Sequence, residues 1–243
     1  HPLRYGLGLA AAAVKAGAAI HEHSRALSVT KSGGQWLVST EMGKVEAAHV
    51  VFTVAALDRN LHPASGRAVL PVATYVAVSE PCEQSVIRTS EAIGDTRRAS
   101  DYYRLVDEGR ILWGGRITTR VSEPSRLAER MRGDMLSTYP ELAGVRMEYG
   151  WAGLMSYALH KMPLIGRDDQ GLWYGTGFGG HGLNTTAMAG QLISRGICGA
   201  DDEYRRFEAF GPRWAGGPFG RIGVQSSYWY MQARDILEER RGA

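Results

Sequence analysis

The stretch that decides the fold is WYGTGFGGHGLNTTAMAGQLISRGICG, residues 173–199. A short apolar run, Leu172 to Thr176, leads into Gly177-Phe178-Gly179-Gly180-His181-Gly182-Leu183-Asn184, and a helical pattern with the small residues Ala187, Ala189 and Gly190 follows. That order predicts a strand, a glycine turn and a helix able to pack closely on a sheet or a ligand. Glycines let backbone approach a flat ring without side chains in the way. The helix N-terminus behind them offers N–H groups and positive dipole to an electron-rich, partly anionic edge. Taken alone, the same turn serves equally as plain structure.

A second glycine pattern, Gly6-x-Gly8-x-x-Ala11 in HPLRYGLGLAAAAVKAGAAIHEHS (residues 1–24), imitates a dinucleotide fingerprint. The fingerprint needs a strand in front, yet only His1 to Tyr5, with Pro2 among them, precede Gly6. The acidic Glu22 also arrives sooner than the usual spacing of about 20 residues beyond the turn. Leu3, Leu7, Ala10 and Val14 mark one apolar helical face instead, with Pro2 in the first turn and Gly17 at the C-cap. A nicotinamide site built on Gly6 and Gly8 therefore fails for want of a strand.

Composition bounds the remaining possibilities. The chain has 243 residues, 44% hydrophobic and 22% charged, which suits a globular protein of one or two domains. Its 28 basic and 25 acidic residues leave only +3, without the concentrated basic face that nucleic-acid binding requires. Cys82 and Cys198 lie far apart outside any ligand motif, which argues against a disulfide framework and against a metal site, and fits a reducing compartment. Cytoplasm is the expected location. No apolar run reaches spanning length and no cleavable signal pattern opens the chain. It begins on His1, as a processed chain or the C-terminal part of a longer one would.

Along the chain, Ala18 to Val29 reads as a strand, Gln35 to Thr40 as its antiparallel neighbour across Ser32-Gly33-Gly34, and Val45 to Val54 as a further pair. The run Val50 to Val54 predicts a strand buried on both faces. Leu57 to Val69 is a connection, Val72 to Ser79 a strand, and Tyr102 to Val106 with Ile111 to Arg116 a hairpin across Glu108-Gly109, giving a second, antiparallel sheet. Ser125 to Tyr139 is a helix stopped by Pro140, Met147 to Tyr157 is extended, and Pro163-Leu164-Ile165-Gly166 is a turn. From Asp201 the chain is helical, and its charged end, Asp235 to Arg241, reads as a solvated face.

The stretch MPLIGRDDQGLWYGTGFGGHGLNTTAMAGQLISRGICG, residues 162–199, resembles the C-terminal signature of the flavin-dependent D-amino-acid oxidase and glycine oxidase superfamily. That group includes sarcosine oxidases and gamma-glutamylputrescine oxidoreductases, and the tail VQSSYWYMQARDILEERR (residues 224–241) is most similar to the latter. HPLRYGLGLAAAAVKAGAAIHEHS resembles the helix and strand after the family's central substrate segment, and GKVEAAHVVFTVAA (residues 43–56) its return to the flavin domain. The resemblance implies an α/β (α+β) fold: a partial Rossmann-like FAD-binding domain lacking its N-terminal βαβ unit, from residues 1–57 and 164–200. An antiparallel-sheet substrate domain over 58–163 and a helical tail over 201–243 complete it.

The resemblance further implies non-covalent FAD, since the strand Met147 to Tyr157 lacks the cysteine that tethers flavin in some sarcosine oxidases. Gly177, Phe178, Gly179, Gly180, His181, Gly182, Leu183 and Asn184 would hold the isoalloxazine ring, the helix terminus facing its N1 and C2 carbonyl. Val29 would meet the adenine through its backbone, Thr53 and Ala55 would pass near the dinucleotide, and Gly153 would lie beside the cofactor. In FTVAAL (residues 52–57) Ala55 or Ala56 stands where the family has glycine. Asn184 stands where sarcosine oxidases carry a lysine for the substrate carboxylate, which suits an uncharged amine end.

Substrate candidates are Tyr102, Tyr103, Trp113, Arg116 and His160. The implied reaction is oxidation of the C–N bond of an amine or amino acid, with a gamma-glutamylputrescine-like substrate, by hydride transfer to flavin N5. The imine then hydrolyses to an aldehyde or keto acid, and electrons pass to oxygen or another acceptor. The family's GxGxxG is not among these residues, so the chain reads as a fragment, as one chain of a split enzyme whose partner supplies the missing half, or as a catalytically silent interaction module.

Overall fold

The computed structural model describes residues 1–57, 60–82, 86–89 and 91–242. Residues 58–59, where the expected substrate domain begins, and residue 243 of the expected tail lie outside the described residues. The chain is a mixed α/β protein in two compact units, His1–Ala68 with His160–Arg213, and Val69–Leu159 with Trp214–Ala243.

The first unit opens with α1 (Pro2–Lys15), where Pro2 occupies the first turn and Gly17, at φ 97°, takes the chain out of the helix. The glycines of the imitation fingerprint thus sit inside a helix. Strand β1 (Ala26–Ser32) pairs antiparallel with β2 (Gln35–Thr40) across Gly33 and Gly34, both at positive φ as a tight hairpin demands, and β2 pairs with β3 (Lys44–Ala47). The strand expected from Ala18 begins only at Ala26, because residues 18–25 find no neighbouring strand.

A second sheet joins β4 (Val51–Phe52), β10 (Leu164–Arg167) and β11 (Trp173–Thr176) in the order β10-β11-β4. Residues 164–166, expected as a turn, are strand because β11 offers them an antiparallel partner, with Leu164 opposite Thr176. The expectation that Val50 to Val54 is buried on both faces is also corrected. Only Val51 and Phe52 pair, at the sheet edge, and Val51 is 39% exposed. Helix α2 (Pro63–Ala68) lies within the expected connection, and α4 (Gly182–Ile197) packs Ala189, Leu192 and Ile193 onto Ile165 and Trp173.

One buried relay ties these parts together. His62 Nδ1 bonds Ser65 Oγ at 2.8 Å, and Nε2 bonds Asp168 Oδ2 at 3.2 Å, while Asp168 Oδ1 accepts from the Gln170 and Leu172 N–H groups. The triad resembles a hydrolytic constellation, yet Ser65 is sealed in the core and offers no nucleophile. It is a tether between α2 and the β10–β11 turn.

The second unit is an antiparallel sheet in the order β6-β7-β8-β5-β9, formed by β5 (Val69–Ser79), β6 (Ile93–Gly94), β7 (Tyr102–Val106), β8 (Arg110–Thr118) and β9 (Met147–Ala158). Helix α3 (Leu127–Thr138) lays Leu127, Met131 and Met135 over Tyr75, Ala77, Ile111 and Trp113 on one face. Burying such a side chain contributes about 1.5–3 kcal/mol, so this layer is the main hydrophobic contribution to the unit. Of the segment expected as one helical tail, residues 203–210 form a 3-10 helix in the first unit and α5 (Gly217–Gly242) belongs to the second.

The charged end of α5 is not simply solvated. Asp235 is buried, its carboxylate accepting hydrogen bonds from the Ala99 and Arg98 main-chain N–H groups and from the Arg98 guanidinium. Burial pushes its carboxyl up, but these bonds together outweigh burial and leave it below the usual carboxylate range. A carboxyl lowered on folding adds stability that is complete above its unfolded value, about 3.9, and is lost as pH falls through the lower folded value. Urea melts across a pH series should therefore show the second unit weakening below about pH 4. In Asp235→Asn that acid-dependent part should vanish; an unchanged pH slope would contradict the assignment.

Candidate functional site

Strand β11 runs parallel to β4, with Trp173 opposite Val51 and Tyr174 opposite Phe52. Both strands therefore release their chains at the same carboxyl edge, where ligands of open α/β sheets bind. Thr53 and Ala55 leave from β4 and the glycine turn from β11, so the structure brings these sequence candidates to one edge. Ala55 has φ 54°, a left-handed conformation that favours glycine. It thus occupies one of the two positions at which sequence reasoning expected a replaced glycine.

The turn is specified by backbone geometry. Gly177 has φ 73°, and a Cβ there would also lie 3.2 Å from Leu164 Cγ. Gly179 has φ 58°, after which Gly179–His181 form a 3-10 turn leading into α4. Phe178 anchors the turn against the core of Ile165, Trp173 and Ile193. Helix α4 starts without a side-chain cap, since the Thr185 and Thr186 hydroxyls turn back to the His181 and Gly182 carbonyls at 2.6 and 2.7 Å. Gly180, His181, Leu183 and Asn184 are exposed at this terminus. Just behind the turn, the Thr176 hydroxyl is buried without a hydrogen-bond partner among the described residues.

Other candidates are placed differently. Val29 is half-buried in β1, opposite Val38 and outside the β4–β11 sheet. His160 is in the first unit, its Nδ1 accepting from the Met162 N–H at 3.2 Å and its Nε2 buried with no partner among the described residues. In the second unit Tyr103 and Trp113 are core: their rings stack 4.2 Å apart beneath α3, and Trp113 is 0% exposed. Burial and the hydrogen bond shared with the Tyr139 hydroxyl raise the Tyr103 phenol to about 12. Arg116, at φ 53°, already grips Asp134 through Nε and Nη2, so its fork is occupied.

The sheet face away from α3 carries a row that runs Tyr102, Gly114, Val76, Trp151 across four strands. Tyr102 (41% exposed) lies over Gly114, where a Cβ would come within 2.2 Å of its ring. Trp151 is 44% exposed, and Gly153 follows it on the same face opposite Thr74. Sequence reasoning named Tyr102 and missed Trp151. It also missed Arg25 and Arg67, which line a cavity of about 640 Å³ beside Ala56 and Leu57 in the first unit. Among the described residues no helix is long and apolar enough to cross a membrane, and no group of three or more His, Cys, Asp or Glu is placed to hold a metal ion.

A parallel strand pair that opens onto a glycine turn and an uncapped helix is the kind of edge at which open α/β sheets bind cofactors. The family model for FAD dependent oxidoreductases (DAO) matches residues 1–195, and the chain belongs to that family. The probable oxidoreductase OrdL of Haemophilus influenzae is 32% identical over 239 residues, covering 93% of this chain and 54% of that protein. Gamma-glutamylputrescine oxidoreductase of Escherichia coli is 31% identical over 251 residues, covering 98% and 57%. The chain spans little more than half the length of these curated relatives. Among solved structures, glycine oxidase from Geobacillus kaustophilus shares the fold with a TM-score of 0.73 at 17% identity, over 84% of this chain and 56% of that one.

The family implies a flavin, and the residues at the turn fit one. Gly177 and Gly179, both at positive φ, give the turn a backbone surface without side chains, and the orphaned Thr176 hydroxyl and the uncapped α4 terminus supply donors for a flat, electron-rich ring. Gly177→Ala should cost about 1–3 kcal/mol from the left-handed backbone and the Leu164 contact. Gly190→Ala, in the open middle of α4 with nothing within 4 Å, should instead gain about 0.5–1 kcal/mol. Denaturant melts of both variants test the pair; equal effects would mean the turn geometry is not specified by glycine.

Proposed function

We propose that this chain forms the ring-holding part of an FAD enzyme that oxidises the C–N bond of an amine or amino acid, with a gamma-glutamylputrescine-like amine as substrate. The observation that carries the reading is the shared edge of β4 and β11, where Thr53, Ala55 and the turn Gly177–Asn184 emerge together. Non-covalent FAD, when bound, supplies acceptance of the hydride equivalent lost from the carbon that bears nitrogen.

The chain's own residues bind and orient. The α4 terminus at Gly182–Asn184 holds the electron-rich edge of the ring, where its dipole favours the negative charge that reduction adds. Gly177 to His181 give the ring a flat backbone floor, Val29 meets the adenine side, and Arg25 and Arg67 balance phosphate charge beside the loop after β4. In the second unit, Tyr102 and Trp151 flank a lane floored by Gly114 and Val76, which suits the methylene chain of an aliphatic amine; Gly153 keeps that face low. His160, with its buried Nε2, is assigned to a polar end of the bound molecules.

A deprotonated amine held at a fixed carbon position needs no further base, since orientation carries much of the barrier reduction. Water adds to the imine product and releases an aldehyde or keto acid with the amine or ammonia. Electrons leave to oxygen or another acceptor. The family and its relatives support the coarse reaction, while the amine itself rests on the 31% identity to gamma-glutamylputrescine oxidoreductase and on the apolar lane. A cytoplasmic location belongs to the same reading.

A partner role is favoured by one observation. Helix α1 buries none of its residues and exposes Leu3, Leu7, Leu9 and Val14. A helix of this length is marginal without packing. We assign that face to the polypeptide that carries the pyrophosphate-binding half of the fold, whether linked to this chain or separate; without it the chain is a silent interaction module.

Riboflavin lacks the pyrophosphate and adenosine, so it isolates the ring contact. Titrated with this chain, its fluorescence should quench saturably, and Gly177→Ala should abolish the quenching. With the complementary half and FAD present, anaerobic gamma-glutamylputrescine should bleach the visible flavin absorbance. Unquenched riboflavin would overturn the ring assignment, and bleaching only by amino acids would overturn the amine assignment.

A further inference from the structure

In the second unit a groove of about 510 Å³ is bordered by the end of β8, the start of α3 and one face of α5. Its chemistry is one-sided. Arg116, Arg120 and Arg130 line it, and no carboxylate does among the described residues. Arg116 is paired with Asp134, but the Arg120 and Arg130 guanidiniums make no ion pair or hydrogen bond among the described residues. Two unpaired guanidiniums on one concave surface create a field that selects anions.

Neutral donors add to it. Tyr75 is only 7% exposed, and its hydroxyl has no hydrogen-bond partner among the described residues although it lines the groove. Burial raises its phenol, the charges of Arg120, Arg130 and Arg116 act on it in the opposite sense, and the charge of Glu123, whose carboxylate accepts from the Ala152 N–H, adds a smaller rise. Gln225 contributes a second donor for a definite reason. Its Oε1 accepts from the Thr118 hydroxyl at 3.0 Å, the Thr119 N–H at 2.9 Å and the Thr119 hydroxyl at 3.3 Å. That convergence fixes the amide orientation and leaves its NH2 to donate elsewhere. Helix α3 begins beside the groove with no side-chain cap, which adds the positive end of its dipole.

We propose that this groove is a binding site for a small organic acid, one that presents carboxylate or phosphate oxygens to Arg120, Arg130, Tyr75 and Gln225. The two guanidiniums, the Tyr75 hydroxyl and the Gln225 NH2 have hydrogen-bonding capacity that an oxyanion satisfies. The groove is larger than a lone inorganic anion fills, and the exposed indole of Trp229 forms one wall, so the ligand carries a short apolar body. The site uses none of the residues assigned to the ring or to the amine lane.

Isothermal titration of the purified chain with glutarate and with glycerol 3-phosphate, at constant ionic strength, tests it. Saturable binding of one or both is expected, and which acid saturates tells the carboxylate source from the phosphate source. Arg120→Gln and Arg130→Gln should each weaken that binding about tenfold, the size of one charge-assisted hydrogen bond. Tyr75→Phe, which keeps the packed ring, should weaken it about threefold, as loss of a neutral hydrogen bond does. Far-ultraviolet circular dichroism and a thermal melt establish that each variant is folded. Absence of saturable binding by either acid, or binding unchanged in folded Arg120→Gln and Arg130→Gln, would overturn the proposal.

Discussion

The rest of the first unit depends on one backbone constraint, the left-handed turn at Gly177 between a buried strand and a helix. Strand β11 is enclosed on both faces, so the chain must leave it abruptly, and Leu164 opposite stands where a side chain at 177 would go. Glycine alone satisfies both conditions without strain. The consequence is directional: Gly179 turns the chain again, Phe178 pins the turn to the core, and α4 starts with its terminus open. Because β4 is parallel to β11, the segment holding Thr53 and Ala55 leaves at that same edge. The proposed cofactor cradle thus rests on strand direction and on two backbone angles, more than on any reactive side chain.

The second unit answers a different requirement. Its sheet has one face committed to α3, where Met131, Met135, Trp113 and Tyr103 interlock, and another left partly open. The open face is shaped by what is missing. Gly114 lets Tyr102 lie flat across the sheet, and Trp151 stands at the far end of the same row. Ion pairs at the margin, Arg98 with Asp235 and Arg116 with Asp134, fix α5 and α3 to the strands and remove those arginines from service as substrate ligands. Arg120 and Arg130 are left over from this pairing, and their isolation gives the groove beside α3 its character.

What the sequence disclosed and what it hid divide along physical lines. Local signals were readable: the apolar period of α1 with Pro2 in front, the Gly33-Gly34 hairpin, and the strand, glycine turn and helix of residues 173–197. Non-local pairing was not. Residues 164–166 look like part of a turn and become strand only because β11 lies beside them. Asp235 looks like part of a solvated charge run, and its partner Arg98 lies 137 residues earlier. The side on which Trp151 emerges depends on register, where a shift of one residue exchanges the two faces. Arg116 has the right chemistry for a carboxylate ligand, but Asp134, 18 residues on, claims it. The resemblance left Ala55 and Ala56 as alternatives for a replaced glycine, and the backbone angle singles out Ala55.

The most direct measurement is hydrogen–deuterium exchange, read by mass spectrometry, of the chain with and without saturating flavin. If the turn holds the ring, the amides from Gly177 to Asn184 should slow markedly in the flavin-bound state, with a smaller change at Thr53 to Ala55. Protection elsewhere, with residues 177–184 exchanging at the same rate in both states, would contradict the account.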